Sequence, residues 1–463
     1  MGWLNFWRSR KRTRATQQGE RVAPSQTGAA FGHYGGAPLM LNTDKHVLIM
    51  ASTRSGKGTA LIIPHLLRYE GSAFVLDPKG ENARATHRQR RKLNDKVLFL
   101  DPFGISGEIQ ARFNPLSRFT LETMEADSKA LAAALVLGQG ERDHWTASAQ
   151  QLLAAFIMFV FTSEKFPVKD LPTVRRILLR DVDVTLENMK ESTVANGLLA
   201  DLAKSFQNTP ERERGSIISH AQRETDILDN PNMIRCLSAA GAGEEVDFKD
   251  WHNGTMTVYL CLAAPKFPVF NRWLRLVLTA ALDEMTDKLN PPPLPVCFML
   301  DELATLGHLG VVENAVGLAA GYGVQIYAVF QDTAQMRDLY KGRWASFIGN
   351  AGIRVVFNLD DYDTAEYWSK FIGSHEVESR SLTRDAFGIV QSQSTNPTIR
   401  PAIPPEEIML DYAAGKMLVL RQGSRPIEAA RVPYYLDATL AGLWDDPRPP
   451  LQPATPDAPP VAA

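Results

Sequence analysis

Short apolar runs recur along the chain, each of a length suited to one buried strand. The runs are HVLIMA (46–51), AFVLD (73–77), VLFLD (97–101), MTVYLCLA (256–263), PVCFMLDE (295–302), VQIYAVFQ (324–331) and IRVVFNL (353–359). Continuous apolar runs are typical of parallel strands that are covered on both faces, and helix-like periodicity fills the stretches between them. The pattern therefore predicts an α/β fold, with a mainly parallel, doubly wound sheet.

The pattern changes between residues 117 and 253, where helical periodicity replaces strand-like runs. Examples are SKALAAALVLG (128–138), TASAQQLLAAFIMFVFT (146–162) and LLADLAKSF (198–206). We interpret this block as an inserted all-helical domain. It would divide the sheet-forming domain into two parts, residues 37–116 and 254–440.

Three other segments lack the periodicity of packed elements. Residues 1–36 are rich in Gly, Ser and Gln and are predicted to form a flexible arm. Residues 441–463 are Pro-rich and are predicted to be a disordered tail. The polar stretch 379–398 is interpreted as an exposed loop or hairpin.

Composition adds few restrictions. The chain is 44% hydrophobic and 22% charged with a net charge of -2, as expected for a soluble globular protein, so a nucleic-acid surface would need local basic clusters. The three cysteines lie in apolar runs without metal-ligand spacing, which favours reduced core residues in a cytosolic protein. The longest apolar run, 152–161, is too short to cross a bilayer, so no transmembrane segment is predicted.

The first strand leads into a loop, STRSGKGT, that approaches the phosphate-binding template G-x-x-x-x-G-K-[ST]. Gly56 and Lys57 match, while Ala51 and Gly58 replace the first Gly and the final hydroxyl residue. Backbone N–H groups and the lysine would still surround phosphates, although an ordinary Gly-rich turn is the alternative. Thr59 or Ser55 would have to supply the magnesium-binding hydroxyl. The nucleotide-binding candidates are Thr53, Arg54, Ser55, Gly56, Lys57, Gly58 and Thr59.

Two later strands end in polar groups that suit the same site. The run CFML is followed by Asp301 and Glu302. In nucleotide-hydrolysing enzymes with a phosphate-binding loop, a strand that ends in two acids presents one acid to the metal and the other to the attacking water. Gln331 ends the following strand and could hydrogen-bond a γ-phosphate or water, with an ordinary polar strand end as the alternative. The long separation of Lys57 and Asp301 agrees with a large insertion between them.

Taken in order, these motifs resemble one known family. They are STRSGKGTALIIPHLL, AFVLDPKGEN, FNPL, TVYLCLA, MLDELATLGHL, VFQDTAQMRDLYKG and RPAIPPEEI. The chain from about residue 40 to residue 435 resembles the conjugative coupling ATPases of type IV secretion systems, the TraG/TraD-like branch of the FtsK/HerA motor group. Glycine after the lysine is common in that branch.

The resemblance implies a RecA-like P-loop motor, usually hexameric, that uses ATP and Mg²⁺. Its partners would be relaxase-bound single-stranded DNA or a protein substrate, accessory transfer proteins and the secretion channel. Lys57 would hold the phosphates, Asp301 the Mg²⁺ and Glu302 the water, while Gln331 would sense the γ-phosphate; the hydroxyl for the Mg²⁺ stays open between Thr59 and Ser55. The DPKGE motif resembles the family's accessory site motif, with a charged turn as the alternative; its residues are Asp77, Lys79 and Glu81.

Several arginines have two interpretations. Arg354 and Arg337 are candidates for the cation that a neighbouring subunit of a ring motor would supply to stabilise transition-state charge, or they form solvated ion pairs. The densest basic cluster would contact DNA or line the pore, or it is the solvent face of a helix. The cluster residues are Arg88, Arg90, Arg91 and Lys92.

Most members of that family begin with transmembrane helices, whereas this chain opens with a short aromatic and basic patch. The patch consists of Trp3, Leu4, Phe6 and Trp7, followed by Arg8, Arg10, Lys11, Arg12 and Arg14. It predicts either peripheral contact with anionic lipid or a disordered basic arm. A cytoplasmic location follows, with possible attachment at the inner membrane's cytoplasmic face.

Two other functions remain open at this point. A DNA pump of the same superfamily could serve packaging, segregation or repair without a relaxase. A nucleotide-gated docking receptor with little turnover is suggested by Ala51 and the displaced hydroxyl.

Overall fold

The structure is a computed structural model that describes residues 28–137, 144–286, 290–384 and 390–448. The aromatic and basic patch at 3–14 lies outside the described residues, as do most of the predicted arm and the end of the predicted tail. For these residues the predictions are therefore not tested.

An eleven-stranded sheet organises the described chain, in the order β2-β1-β13-β12-β9-β3-β8-β7-β4-β6-β5, and β10 and β11 pair separately. The strands are β1 Ala29–Tyr34, β2 Ala37–Leu41, β3 His46–Met50, β4 Ala73–Asp77, β5 Lys96–Leu100, β6 Met256–Cys261, β7 Val296–Leu300, β8 Val324–Phe330, β9 Ala351–Val356, β10 Ser374–Arg384, β11 Val390–Pro401, β12 Lys416–Arg421 and β13 Ile427–Ala430. From β9 to β5 every neighbouring pair is parallel, while β12, β13, β1 and β2 extend the sheet in antiparallel fashion.

Helices connect the strands and cover the sheet. They are α1 Ile63–Arg68, α2 Glu81–Leu93, α3 Met124–Leu135, α4 His144–Thr162, α5 Leu171–Arg180, α6 Val182–Met189, α7 Val194–Gln207, α8 Glu211–Glu224, α9 Pro231–Leu237, α10 Asp250–Asn253, α11 Phe267–Thr286, α12 Gly310–Leu318, α13 Thr333–Tyr340, α14 Trp344–Gly349, α15 Tyr362–Ile372 and α16 Pro405–Asp411. Every residue of β3, β4, β6, β7, β8 and β9 is buried, because both faces of the sheet are covered. This confirms the predicted α/β class with its mainly parallel sheet.

The described residues between 117 and 253 form helices and short 3₁₀ turns without a strand. Their apolar side chains belong to the same continuous core as the sheet, as Leu153 and Phe298 illustrate. The division of this block from the sheet as a separate domain stays a prediction. Among the described residues one helix, α4, is long and apolar enough to cross a membrane, and 61% of its most apolar window is buried inside the protein. That burial is expected of a core helix.

The predicted boundaries of the flexible arm and of the disordered tail are wrong, because each segment includes residues that pack. The predicted arm, 1–36, includes β1, which pairs with β2 and β13 and whose Phe31 is buried in the main core. The predicted tail begins with residues that pack: Leu443 and Trp444 lie against a small cluster that contains Tyr434 and Leu440. Closely spaced Gly and Pro residues concealed these apolar contacts in the sequence.

The polar stretch 379–398 lies in the hairpin formed by β10 and β11, which pair from Ser374 with Pro401 to Arg384 with Val390. The prediction of a loop or hairpin is confirmed as a hairpin. Residues 385–389, between the two strands in the sequence, are outside the described residues.

Candidate functional site

The loops that follow four neighbouring strands emerge at one edge of the sheet. In the parallel register Met50 of β3 lies opposite Phe330 of β8, and Leu300 of β7 lies opposite both Ala328 of β8 and Leu76 of β4. The STRSGKGT loop, the Gln331 position, the paired acids and the DPKGE motif therefore begin side by side. Carboxyl ends of strands form the ligand-binding edge of open α/β sheets.

The loop after β3 is shaped by left-handed backbone at two positions. Arg54 has φ 55° and Gly56 has φ 85°, a conformation that glycine adopts without the penalty of a side chain. Ala51, where the template has glycine, lies outside the left-handed region, and its N–H donates to Phe330 O at 3.0 Å. The first substitution in the template therefore leaves the backbone path intact.

Lys57 is buried at the end of this loop. Its Nζ donates to the carbonyl oxygens of Ala51 at 3.3 Å and Ser52 at 3.1 Å, so the ammonium is held within the loop it closes. Thr53 and Arg54, on the outer part of the loop, are exposed.

The helix after the loop opens with a π-helical turn, Gly58–Ile62, before continuing as α1. The Thr59 hydroxyl donates to Gly56 O at 3.2 Å, whereas the buried Ser55 Oγ has no hydrogen-bond partner among the described residues. Both hydroxyls stay candidates for the metal.

Two carboxyl groups at this edge have strongly raised pKa values. Burial raises the pKa of Asp301 to about 6; the nearby Lys57 ammonium opposes that shift and the Glu302 carboxylate adds to it. Oδ1 of Asp301 is enclosed and has no hydrogen-bond partner among the described residues. A buried carboxylate oxygen without a donor, close to a lysine that would face phosphate, suits a divalent cation.

Asp77 has a different role from Asp301. Burial raises its pKa to about 6 as well, but its oxygens already accept the N–H groups of Ala83 at 2.8 Å and Lys79 at 3.3 Å. Asp77 thereby organises the DPKG turn and the start of α2, while the side chains of Lys79 and Glu81 are exposed beside it.

Glu302 and Gln331 complete the edge. Glu302 has φ 63°, and non-glycine residues in that conformation cost of order 1–3 kcal/mol and cluster at functional sites. The backbone N–H of Gln331 donates to Oε1 of Gln335 at 3.0 Å, and the Gln331 side chain is half-buried. The structure thus brings Lys57, Asp301, Glu302 and Gln331 to the single edge predicted from the sequence, while their roles there stay proposals.

Replacing Asp301 with Asn is expected to stabilise the metal-free fold at pH 7.5 by about 1–2 kcal/mol. In wild type the folded-state pKa of Asp301 lies above its usual 3.8, so the folded state binds the proton more tightly than the unfolded state does. Protonation of Asp301 therefore stabilises the wild-type fold at low pH, and that stabilisation is lost as the pH rises through about 6. The Asp301→Asn variant does not titrate at this position and keeps its stability. Thermal unfolding in EDTA at pH 7.5 and pH 5 measures it. The variant's advantage should shrink at pH 5; a variant less stable than wild type at pH 7.5 would contradict this.

The structure contradicts one of the two candidate arginines for contact with a neighbouring subunit. Arg354 is only 6% exposed, its guanidinium donates from Nε to Ile348 O at 2.9 Å, and it lies 5.2 Å from the centre of the Phe371 ring. It is therefore held inside its own chain. Arg337 is exposed and stacks 4.7 Å above the Trp344 ring, so its predicted role stays open.

The basic cluster on α2 is also largely structural. Arg90 is fully buried and donates to Thr257 Oγ1 at 2.9 Å and to the carbonyls of Leu66, Tyr69 and Gly71. The prediction that Arg90 contacts DNA is wrong, because its guanidinium ties α2 to β6 and to the turn after α1. Of the others, Arg88 pairs with Asp445 and Arg91 with Glu108, whereas Lys92 is exposed.

Replacing Arg90 with Met is expected to lower the free energy of unfolding by about 3–5 kcal/mol, because several buried acceptors lose their donor together. Lys92→Met, on the exposed face of the same helix, should change it by no more than about 0.5 kcal/mol. Urea unfolding of the two variants tests this, and equal midpoints would refute the structural role.

Sequence reasoning missed a contact that fixes the start of the loop. Asn358, two residues after β9, has φ 49°, and its carbonyl accepts the N–H of Ser52 at 3.2 Å and the Ser52 hydroxyl at 2.5 Å. The available signal was a polar residue just after an apolar strand, the same signal that identified Gln331.

Comparison with known proteins adds an independent result. The family model described as "Type IV secretory system Conjugative DNA transfer" matches residues 7–454. The chain is 28% identical over 427 residues to a conjugal transfer protein TraG of Agrobacterium fabrum, covering 88% of this chain and 63% of that protein. It is 25% identical over 456 residues to the type IV secretion system-coupling protein VirD4 of Bartonella henselae, covering 92% and 69%. The chain spans about two thirds of the length of these curated relatives.

Solved structures of the conjugative coupling protein TrwB have the same fold. The unbound TrwBdeltaN70 structure superposes with a TM-score of 0.68 at 15% identity, covering 91% of this chain and 92% of that one. TrwB with the ATP analogue ADPNP gives 0.66 at 16% identity, covering 92% of each chain. These matches confirm the predicted RecA-like P-loop architecture.

Proposed function

The chain belongs to the type IV secretory system conjugative DNA transfer family, and on that premise we propose that it is an ATP-hydrolysing coupling motor of a conjugative secretion system. One observation carries the proposal. Two distant segments, the Lys57 loop and the Asp301–Glu302 pair, meet at the same sheet edge, on either side of the strand that leads to Gln331. A cation and two acids in that arrangement suit a metal-bound triphosphate.

Each group has a proposed task in ATP hydrolysis. The loop N–H groups and Lys57 bind the phosphates, and Gln331 contacts the γ-phosphate or the attacking water. Asp301, with the hydroxyl of Thr59 or Ser55, holds Mg²⁺, which when bound supplies positive charge against the phosphate oxygens. Glu302, held just beyond the strand, orients the water and accepts its proton. TrwB has been solved with ADP and Mg²⁺, which supports the choice of both ligands.

The cargo and partners are proposed from the names of the relatives. Conjugal transfer and secretion-coupling proteins suggest relaxase-bound single-stranded DNA or a protein substrate, accessory transfer proteins and the secretion channel. A hexamer at the cytoplasmic face of the inner membrane is the corresponding assembly, with Arg337 the remaining candidate for contact across a subunit boundary. Arg88, Arg91 and Lys92 remain weak candidates for DNA contact.

The proposed motor is tested by measuring ATP turnover of the protein with and without single-stranded DNA, with relaxase binding measured on the same preparation. We expect Mg²⁺-dependent turnover that DNA stimulates several-fold. Nucleotide and relaxase binding without turnover would overturn the motor in favour of a docking receptor. DNA-stimulated turnover without relaxase or accessory-protein binding would instead favour a DNA pump unrelated to secretion.

A further inference from the structure

An arginine that follows a strand three positions away from β3 in the sheet contacts the middle of the phosphate-binding loop. Arg431 follows β13, and its Nη1 donates to the carbonyl oxygen of Ser55 at 2.7 Å. Its Nη2 donates to the carbonyl of Ala413 at 2.5 Å, and its guanidinium lies 4.7 Å from the centre of the Phe357 ring. The backbone N–H of Arg431 donates to Gly415 O at 2.8 Å. The Arg431 guanidinium, a planar fork of N–H donors, thus bridges the carbonyls of Ser55 and Ala413, while its own backbone is fixed by the bond to Gly415.

The orientation of one carbonyl determines the orientation of the next N–H group. A trans peptide unit is planar, and its C=O and N–H point in opposite directions. The carbonyl of Ser55 and the N–H of Gly56 belong to the same unit. When the carbonyl faces Arg431, the Gly56 N–H must face away from it.

The peptide unit between Ser55 and Gly56 has few local constraints on its orientation, so a contact from outside the loop can fix it. Arg54 and Gly56, on either side of Ser55, both have positive φ, and Gly56 has no Cβ to restrict rotation. The Ser55 hydroxyl has no partner among the described residues that would fix the residue in place. A loop that binds phosphate through main-chain N–H groups works only if those groups already point inward.

We propose that Arg431 is a positioning residue for the nucleotide, which bridges the carbonyls of Ser55 and Ala413 and so directs the Gly56 N–H toward the phosphates. The inference rests on the proposed nucleotide-binding function. The contacts of Arg431 are to carbonyls and a ring, and burial lowers the pKa of its guanidinium, so the charge is kept there at a cost in solvation. Arg431 reaches the carbonyls of two separate segments with two different nitrogens of a planar group, whereas a lysine would have to reach both from a single ammonium nitrogen.

The direct test observes the Gly56 amide. The sequence contains two Ser-Gly pairs, 55–56 and 106–107, so cell-free synthesis with [1-¹³C]serine and [¹⁵N]glycine should give two carbonyl-correlated amide signals. In wild type we expect ADP to shift the Gly56 signal and leave Gly107, a built-in control, unchanged. In Arg431→Met the free Gly56 signal should already be displaced or broadened, and ADP affinity should fall about tenfold.

Two further variants make the outcome decisive. Arg448→Met removes an exposed arginine that pairs locally with Asp446, and it should behave as wild type. Arg431→Lys, which keeps the charge but not the fork, should displace the Gly56 signal and weaken ADP binding about threefold; it also serves if Arg431→Met does not fold. A wild-type Gly56 signal and ADP affinity in either Arg431 variant would overturn the inference. If ADP shifts no signal in wild type and does not bind, the proposed function itself fails.

Discussion

Replacing Lys57 with Ala should lower ATP turnover by at least about 10²-fold, since the variant loses the cation that is proposed to bind the phosphates. A second loss should follow from electrostatics. The Lys57 ammonium lowers the pKa of Asp301, which burial has raised to about 6, so removing it should raise that pKa further. More of Asp301 would then be protonated near neutral pH and unable to hold a cation. The residual activity of the variant should therefore increase with pH more steeply than that of wild type.

Steady-state turnover between pH 6 and pH 9 measures both effects. Lys370→Ala is the matched control, because Lys370 is exposed and pairs with Glu366 one helical turn away. The control should follow the wild-type profile. Turnover in Lys57→Ala within about tenfold of wild type would mean that the loop is not the phosphate site.

Replacing Glu302 with Gln should separate binding from chemistry. Glutamine keeps the size of the side chain and meets the same left-handed backbone at φ 63°, so the strand end should keep its shape. It cannot accept a proton from water. Turnover should fall by about 10²- to 10⁴-fold, while affinity for a non-hydrolysable ATP analogue stays within about threefold of wild type.

Calorimetric titration with the non-hydrolysable analogue measures its affinity, and a turnover assay on the same preparation measures the rate of hydrolysis. Glu366→Gln, a change on the exposed face of α15, controls for the loss of a surface charge. If Glu302→Gln kept wild-type turnover, another group would have to be the base. If it lost analogue binding and turnover together, Glu302 would act on binding rather than on chemistry.

The sequence predicted the parallel part of the sheet and the site edge, because buried parallel strands leave a simple signal, whereas the antiparallel strands β1, β2, β12 and β13 were not predicted. A strand covered on both faces is apolar at every position, and the polar residue that follows it marks the edge. Asp301 and Gln331 were found in this way, and Lys57 was found from its match to the phosphate-loop template, all without knowledge of any contact. Ala51 seemed a defect in the loop, yet its backbone does not require glycine.

Charged residues that act inside the fold could not be identified in the same way. Arg90 and Arg354 look like surface residues, since arginine is seldom fully buried, and most of their partners are backbone carbonyls, which carry no sequence signature. Arg431 meets Ser55 across 376 positions, and Asn358 meets Ser52 across 306. Such contacts depend on how the strands are ordered, which local patterns do not specify.

The account depends on one nucleotide being shared by the ends of β3 and β7. The most direct measurement is a crystal structure of the protein with Mg²⁺ and a non-hydrolysable ATP analogue. We predict the β- and γ-phosphates beside Lys57 Nζ, with Mg²⁺ bound by Asp301 directly or through one water. A nucleotide bound elsewhere, or one that contacts Lys57 while its metal lies away from Asp301 and Glu302, would contradict the account.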